Sequence, residues 1–336
     1  MRGTKFIITC LSLMVLTSCG GQQQETVREK GIPEDKPTIA VIPKGTTHEY
    51  WKSVHAGAVK ASREMDAEII WKGPLKEDDR EAQISVVENF ITRGVDGICL
   101  APLDDTALRT PVTSAVRAEI PVVIFDSDLK SDDYVSFVAT DNHKGGYMAG
   151  QYMARLLEGQ GRVVVLRYQE GSASTAQREQ GFLDAIAEQE GIEVVSANQY
   201  GGATTETAYQ ASENLLGPLK TEGGLTIDGI FCPNESTTFG MLRALQDAAL
   251  AGKVTFIGFD SSPKLVEALE KKQIHGLVLQ NPFQMGYLCV KTMMRHLKGE
   301  DVEKRVDTGA ALVTPENMNK PEIQQLLSPD LSQWLN

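Results

Sequence analysis

At 336 residues the chain exceeds what a single hydrophobic core usually organises, which points to two domains of ordinary size. With 41% hydrophobic and 23% charged residues and no long polar tract, the composition excludes a mostly disordered protein. A formal charge of −12 argues against nucleic acid as a partner and favours solubility.

The amino terminus differs in kind from the rest. Arg2 and Lys5 precede a mostly apolar run from Phe6 to Leu16, and small residues then lead to Cys19, the layout of a signal peptide. The run is shorter than the about 20 residues that span a bilayer, and no later segment approaches that length. Leu16-Thr17-Ser18-Cys19-Gly20 resembles a bacterial lipobox, in which cleavage leaves Cys19 as the acylated first residue. Residues 1–18 are thus expected as a lipoprotein signal peptide and 19–36 as an acylated tether, polar, Gln- and Glu-rich and without periodicity. This places the chain outside the cytoplasm, facing the periplasm or the cell exterior, held to the membrane by lipid alone.

From Pro37 onward short β-rich runs alternate with amphipathic stretches, the rhythm of parallel sheets flanked by helices. Thr38–Pro43 reads as a buried strand, and Trp51, Val54, Ala58, Ala61 and Met65 then recur at spacings of three and four, marking one helix face. Strands follow at 68–71, 95–101 and 121–126, with helices near 79–93 and 104–118. A second series follows 134–139, with strands at 162–168, 193–200, 227–233, 254–260 and 276–280 and helical patterns between them. Two similar halves predict two doubly wound α/β lobes. Cys99, Cys232 and Cys289 lie in apolar runs, odd in number and without metal spacing, so they read as small hydrophobes and no metal or cofactor is expected.

In open parallel sheets ligands sit beyond the carboxyl ends of the strands. That rule selects Thr47–Trp51, Ala101–Asp105 and Asp126–Asp128 in the first half, and Ser172–Arg178, Asn234-Glu235, Asp260–Ser262 and Gln280-Asn281 in the second. Carboxylates such as Asp126 and Asp260 accept from hydroxyls, Arg178 donates in a fork, and Asn234 and Gln280 do both, which suits a small polyhydroxylated ring. Tyr50 and Trp51 offer aromatic faces for its C–H side. Each has a plainer reading as well. An Asp after a strand also caps the next helix, Tyr50 and Trp51 also read as core, Arg178 also pairs with Glu179, and a loop histidine such as His48 is ordinarily structural.

The chain is similar to the periplasmic ribose-type sugar-binding proteins of ABC importers, whose core is shared with lactose-repressor-type regulators. The residues that carry the resemblance run from about Lys36 to Thr314: Tyr50-Trp51 with Gly57-Ala58, Ile120–Val123 leading to Asp126, Thr140-Asp141-Asn142 with Gly145-Gly146, Arg178–Phe182, Asn234-Glu235 with Gly240–Leu245, Gly258-Phe259-Asp260, and Gln280. The resemblance implies a type I periplasmic-binding-protein fold that closes on a sugar and hands it to a membrane permease, working as a monomer. It implies that Tyr50 and Trp51 sandwich or flank the sugar, that Asp126, Arg178, Asn234, Asp260 and Gln280 are polar contacts, and that His48 stands where an Asn is often found. Ser127, also assigned to the contact set, stands where the ribose proteins commonly have Arg, and Ala101 where they have Asn. An aromatic is missing near Gly201-Gly202-Ala203. These departures point away from ribose, toward a hexose, a polyol or a modified sugar.

The same resemblance implies three crossings between lobes, near Ala139-Thr140, His275-Gly276 and Arg305-Val306. The lobes would then comprise 37–139 plus 277–304 and 140–276 plus 305–314, leaving 315–336 as a loosely packed extension with a short helix. A regulator would need a three-helix DNA-binding module ahead of the core, and an 18-residue tether is too short for one. Nucleotide-binding, acyl-transfer and zinc-protease motifs are missing, so no enzyme is expected. The alternative within binding proteins is a sensor that presents its sugar to a chemoreceptor or sensor kinase.

Overall fold

The computed structural model describes residues 36–335. The signal peptide, Cys19 and nearly all of the tether lie outside them. The first half runs β1 (Thr38–Ile42), α1 (Glu49–Met65), β2 (Glu68–Trp71), α2 (Arg80–Arg93), β3 (Gly97–Leu100), α3 (Arg109–Arg117), β4 (Val122–Phe125) and β5 (Ser136–Ala139). The second runs α4 (Asn142–Leu156), β6 (Gln160–Arg167), α5 (Ala173–Ala187), β7 (Gly191–Tyr200), α6 (Thr205–Leu216), a small hairpin of β8 (Lys220–Thr221) and β9 (Gly224–Leu225), β10 (Gly229–Phe231), α7 (Glu235–Asp247), β11 (Thr255–Phe259), α8 (Pro263–Glu270) and β12 (Gly276–Gln280). α9 (Pro282–Leu297), β13 (Arg305–Asp307), β14 (Ala310–Val313) and α10 (Pro321–Leu327) follow.

The strands form two six-stranded sheets of matching order, β13-β5-β4-β3-β1-β2 and β14-β12-β11-β10-β6-β7. The first is wholly parallel, and the second is parallel except for β14, which runs antiparallel to β12. Parallel sheets need both faces covered, and the alternation of side chains supplies it. In the first sheet Ile39, Val41, Cys99, Val123 and Phe125 pack on one side with α1 and α9, while Ala40, Ile42, Ile98, Leu100 and Ile124 pack on the other with α2 and α3. The second sheet divides likewise, with Val164, Leu166 and Phe256 on one face and Val163, Val165, Ile257 and Phe259 on the other.

Each lobe is completed by a helix that leaves the other. α4 follows β5 of the first sheet and packs on α5 of the second lobe, and α9 follows β12 of the second sheet and packs on α1 of the first. The two helix pairs meet through glycine. A methyl group at Gly57 of α1 would overlap the Phe283 carbonyl oxygen of α9, and one at Gly146 of α4 would overlap that of Arg178 in α5.

The crossings differ from the sequence-based lobe boundaries at two of three places. The first lies at Thr140-Asp141, between β5 and α4. β12 belongs to the second sheet, its residues buried on both faces between β11 and β14, so the second crossing falls at Gln280-Asn281, where Asn281 caps α9 and Pro282 opens it. β13 pairs with β5 of the first sheet, so the third crossing falls after Asp307, at Thr308-Gly309, where Gly309 takes a φ of 78°. The lobes are therefore 37–140 plus 281–308 and 141–280 plus 309–314.

The C-terminal extension is also better anchored than expected. Ile323 and Leu327 of α10 enter the second lobe's core. Further on, the first lobe holds the chain: Arg63 of α1 donates to the Gln333 carbonyl at 3.0 Å and lies 5.4 Å over the Trp334 ring, which also meets Phe283 of α9. The extension thus ties one lobe to the other.

The glycine contacts make a direct test. Gly57→Ala is expected to lower stability by about 2 kcal/mol in urea unfolding, because two helices must move apart. Gly217→Ala, where a methyl meets open space, is expected to leave stability unchanged or slightly raised.

Candidate functional site

The carboxyl ends of both sheets face each other across a cleft lined by Lys44, His48, Tyr50, Trp51, Glu77 and Asp126 from the first lobe and by Tyr168, Ser174, Thr175, Arg178, Asn234, Glu235, Asp260 and Gln280 from the second. Two aspartates occupy matching places in the two sheets. Asp126 ends β4 and Asp260 ends β11, each with left-handed backbone (φ 63° and 65°) and each donating its N–H to the neighbouring strand, to Val138 and Val278 carbonyls respectively. Neither caps a helix. Asp126 accepts from the Tyr50 hydroxyl at 2.8 Å and pairs with Lys44 at 3.2 Å, while Asp260 accepts from Gln280 Nε2 at 2.8 Å and lies 3.7 Å from Arg178.

Arg178 is 2% exposed and held by protein partners on two of its three nitrogens. Its Nε donates to Asn142, one terminal nitrogen donates to the Pro233 carbonyl at 3.0 Å, and its plane lies 4.1 Å over Phe259. Glu179 pairs instead with Arg167, so the plainer reading of Arg178 does not hold. Gln280, 4% exposed, presents the one buried side-chain polar atom among the described residues without a hydrogen-bond partner, its Oε1. Such an atom costs stability unless a donor reaches it.

Tyr50 and Trp51 lie side by side on α1, ring centroids 5.0 Å apart and nearly perpendicular, so they flank one side of the cleft and cannot sandwich a ring between them. Trp51 is held by Glu77, which accepts from its indole N–H at 2.7 Å, from His48 Nδ1 at 2.8 Å and, across the cleft, from the Tyr168 hydroxyl at 2.7 Å. Asn234 lines the cleft while its Oδ1 caps α7, accepting from Thr237. Ser127 stands apart from the expected contact set: it is 0% exposed and its hydroxyl accepts from the Ser174 N–H of the opposite lobe, so it joins lobes and does not line the cleft.

Lys44, Glu77 and Tyr168 are cleft residues outside the segments selected from the sequence, and Ser174, Thr175 and Glu235 lie within those segments but were not singled out as contacts. Applying the strand-end rule to β1, β2 and β6 as strictly as to β4 would have reached Lys44, the 72–78 loop and Tyr168. Lobe contacts are completed by Lys44 donating to Ser174 at 2.9 Å and by the Glu77 carbonyl accepting from Gln169. Among the described residues no three His, Cys, Asp or Glu side chains converge as metal donors.

The buried charges shift one another. Burial would lower His48, yet the Glu77 charge and hydrogen bond outweigh it and lift His48 to about 9. Burial would raise Glu77, yet His48, Lys44 and the Trp51 N–H bring it down to about 2. Burial pushes Glu235 up to about 7 against the opposing charge of His48, and pushes Asp260 up against Arg178. The pair therefore contributes stability fully between about pH 4.5 and 6.5; it is lost above, as pH rises through the folded His48 value near 9, and below, as pH falls through the folded Glu77 value near 2. In NMR titration the His48 ring is expected to change charge near 9, and in Glu77→Gln at or below 6.5, with a stability loss of about 3 kcal/mol at pH 6. An unchanged His48 midpoint in that variant would remove Glu77 as its partner.

Comparison with known proteins agrees with this geometry. The family description "periplasmic binding protein domain" matches residues 39–301. The ribose import binding protein of Bacillus subtilis is 28% identical over 316 residues, covering 94% of this chain and 99% of the relative. Among solved structures, an ABC transporter solute-binding protein from Agrobacterium vitis with bound D-fucose superposes with a TM-score of 0.81 at 37% identity, covering 86% of this chain and 99% of the other. A carbohydrate transporter solute-binding protein from Agrobacterium radiobacter with D-arabinose gives 0.82 at 35%, covering 87% and 99%. With two lobes closing over a polar cleft and a family match across most of its length, this chain belongs to the periplasmic binding proteins, and within them it is similar to the sugar-binding proteins of ABC importers.

Proposed function

We propose that the chain captures a monosaccharide or related polyol between its lobes, without reacting on it, and delivers it to the permease of an ABC importer. The observation that carries this reading is the buried polar ring of Asp126, Arg178, Asp260 and Gln280, drawn from both lobes, beside the flanking Tyr50 and Trp51 and with Gln280 Oε1 lacking a protein donor. Asp126, Glu77 and Asp260 already hold fixed protein donors, which supports a role in orienting hydroxyls. A hydroxyl ring that bonds both lobes at once stabilises the closed clamp relative to the open one, because an open clamp offers only half of its partners.

The ligands bound by the two Agrobacterium proteins, D-fucose and D-arabinose, support an aldose, pentose or hexose, as the class. The replacement of the ribose proteins' Arg by Ser127 and of their Asn by Ala101 supports a ligand other than ribose. Export through the leader, acylation at Cys19 and action as a monomer complete the proposal, with the tether of residues 19–36 giving the clamp its reach from the membrane.

The test uses the chain from Gly20 onward, freed of carried-over ligand by partial unfolding, in thermal melts against pentoses, hexoses, polyols and nucleosides. A true ligand at a hundredfold excess over its dissociation constant adds about 2.7 kcal/mol, a rise of roughly 5 °C. Gln280→Ala and Asp126→Asn are each expected to weaken it roughly tenfold or more, by loss of a charge-assisted or buried hydrogen bond. A folded protein that answers to nothing in the panel would end the sugar-capture reading.

A further inference from the structure

Next to the cleft lies a second chamber of about 230 Å³ that shares Tyr50, Asp260 and Gln280 with it as common lining. Its character is different. The cleft is walled by charged and hydroxyl side chains, whereas this chamber sets Pro263, Leu279 and Pro282 from the lobes and Leu326, Pro329 and Leu331 from the C-terminal extension beside Glu49, Ser53, Ser261, Ser262 and Ser328, a lining more apolar than that of the cleft. An apolar cavity of about 150 Å³ is enough to admit benzene, so there is room here for a group of that size.

The roof is a built surface. α10 is anchored in the second lobe's core by Ile323 and Leu327, and the chain beyond Leu331 is held on the first lobe through the Gln333 carbonyl and the Trp334 ring against Arg63. Leu331 therefore stands between two fixed points. At the shared lining, the buried Gln280 directs Nε2 to Asp260 and its Oε1 has no partner, so this is where the polar cleft and the chamber adjoin. Whatever extends from a ligand past that boundary leaves polar surroundings and meets leucine and proline.

We propose that the chamber is a subsite for an apolar substituent carried by the sugar in the cleft, an alkyl or aryl ether or glycoside. This rests on the sugar-capture reading of the cleft and deepens it: the ligand class becomes substituted sugars, with the C-terminal extension contributing to specificity. The substituent desolvates on Leu279, Leu326 and Leu331 while the ring keeps its bonds to Asp126, Asp260 and Gln280.

Calorimetric titration of the chain from Gly20 onward with the best free aldose of the panel, its methyl and phenyl glycosides in both anomeric forms and its mono-O-benzyl ethers tests this. At least one substituted form is expected to bind roughly tenfold or more tightly than the free sugar. Leu331→Trp, which fills the chamber, and Leu331→Ser, which strips its apolar roof, are both expected to erase that advantage while leaving free-sugar affinity unchanged. If free sugar binds and no substituted form binds more tightly, the subsite is refuted and the sugar-capture reading stands. An advantage that survives both Leu331 variants arises elsewhere and also refutes it. If neither free nor substituted sugars bind, both readings fall together.

Discussion

A buried carboxylate must be met by donors or the fold does not hold, and Glu77 is the place where this constraint organises the molecule. Its three donors fix three things at once. The Trp51 indole sets one aromatic wall of the cleft, His48 sets the entry to α1, and the Tyr168 hydroxyl comes from the opposite lobe. Asp126 and Asp260 repeat the principle on a smaller scale, one taking Tyr50 and Lys44, the other Gln280 and Arg178. The cleft is thus a set of anions whose partners are prearranged, and the rigidity of the side chains follows from satisfying charge.

The near repetition of the two lobes places those anions opposite each other. Matching strand order puts β4 and β11 in equivalent positions, and at the end of each the chain must turn out of the sheet while donating sideways to its neighbour. That demands left-handed backbone, which Asp tolerates better than most residues, so the turn and the cleft-facing carboxylate are supplied by one residue in each lobe. The helices that change lobes, α4 and α9, start immediately after the crossings and pack through glycine against α1 and α5, the helices that carry Tyr50, Trp51 and Arg178. Close helix packing therefore sets the position of the cleft side chains on both sides.

Much of this was legible in the sequence, for physical reasons that also mark where legibility ended. Runs such as Thr38–Ile42 and Gly276–Gln280 are apolar on both faces, so the parallel sheets and the strand ends bearing Asp126, Asp260 and Gln280 could be located directly. Which sheet a strand joins is another matter. β12 and β13 carry no periodic mark of their lobe, because pairing with β14 or β5 is decided by contacts far away in the chain, and the boundaries drawn near His275 and Arg305 missed it. Glu77 lies in an irregular loop whose composition reads as solvated, and only the approach of His48, Trp51 and Tyr168 makes it a buried anion. Ser127 failed for the opposite reason: its position next to Asp126 is right, but its hydroxyl is taken by the Ser174 N–H.

The same lobe-to-lobe bonds bear on how the clamp responds to ligand. Tyr168 to Glu77, Lys44 to Ser174 and Ser174 to Ser127 all join the two lobes between protein groups alone, and the C-terminal extension adds an anchorage on each lobe. Opening must expose these partners to water together, so the closed form has its own supply of favourable contacts before any hydroxyl arrives. A ligand shifts the balance only by its difference in affinity for the two forms. In the proposed function that difference comes from groups on the two sides of the cleft, Asp126 and Tyr50 on one and Arg178, Asp260 and Gln280 on the other. Selectivity among sugars then follows from how many of those groups one ring can reach at once, and the contacts between lobes set how much of the closing free energy the ring itself must provide.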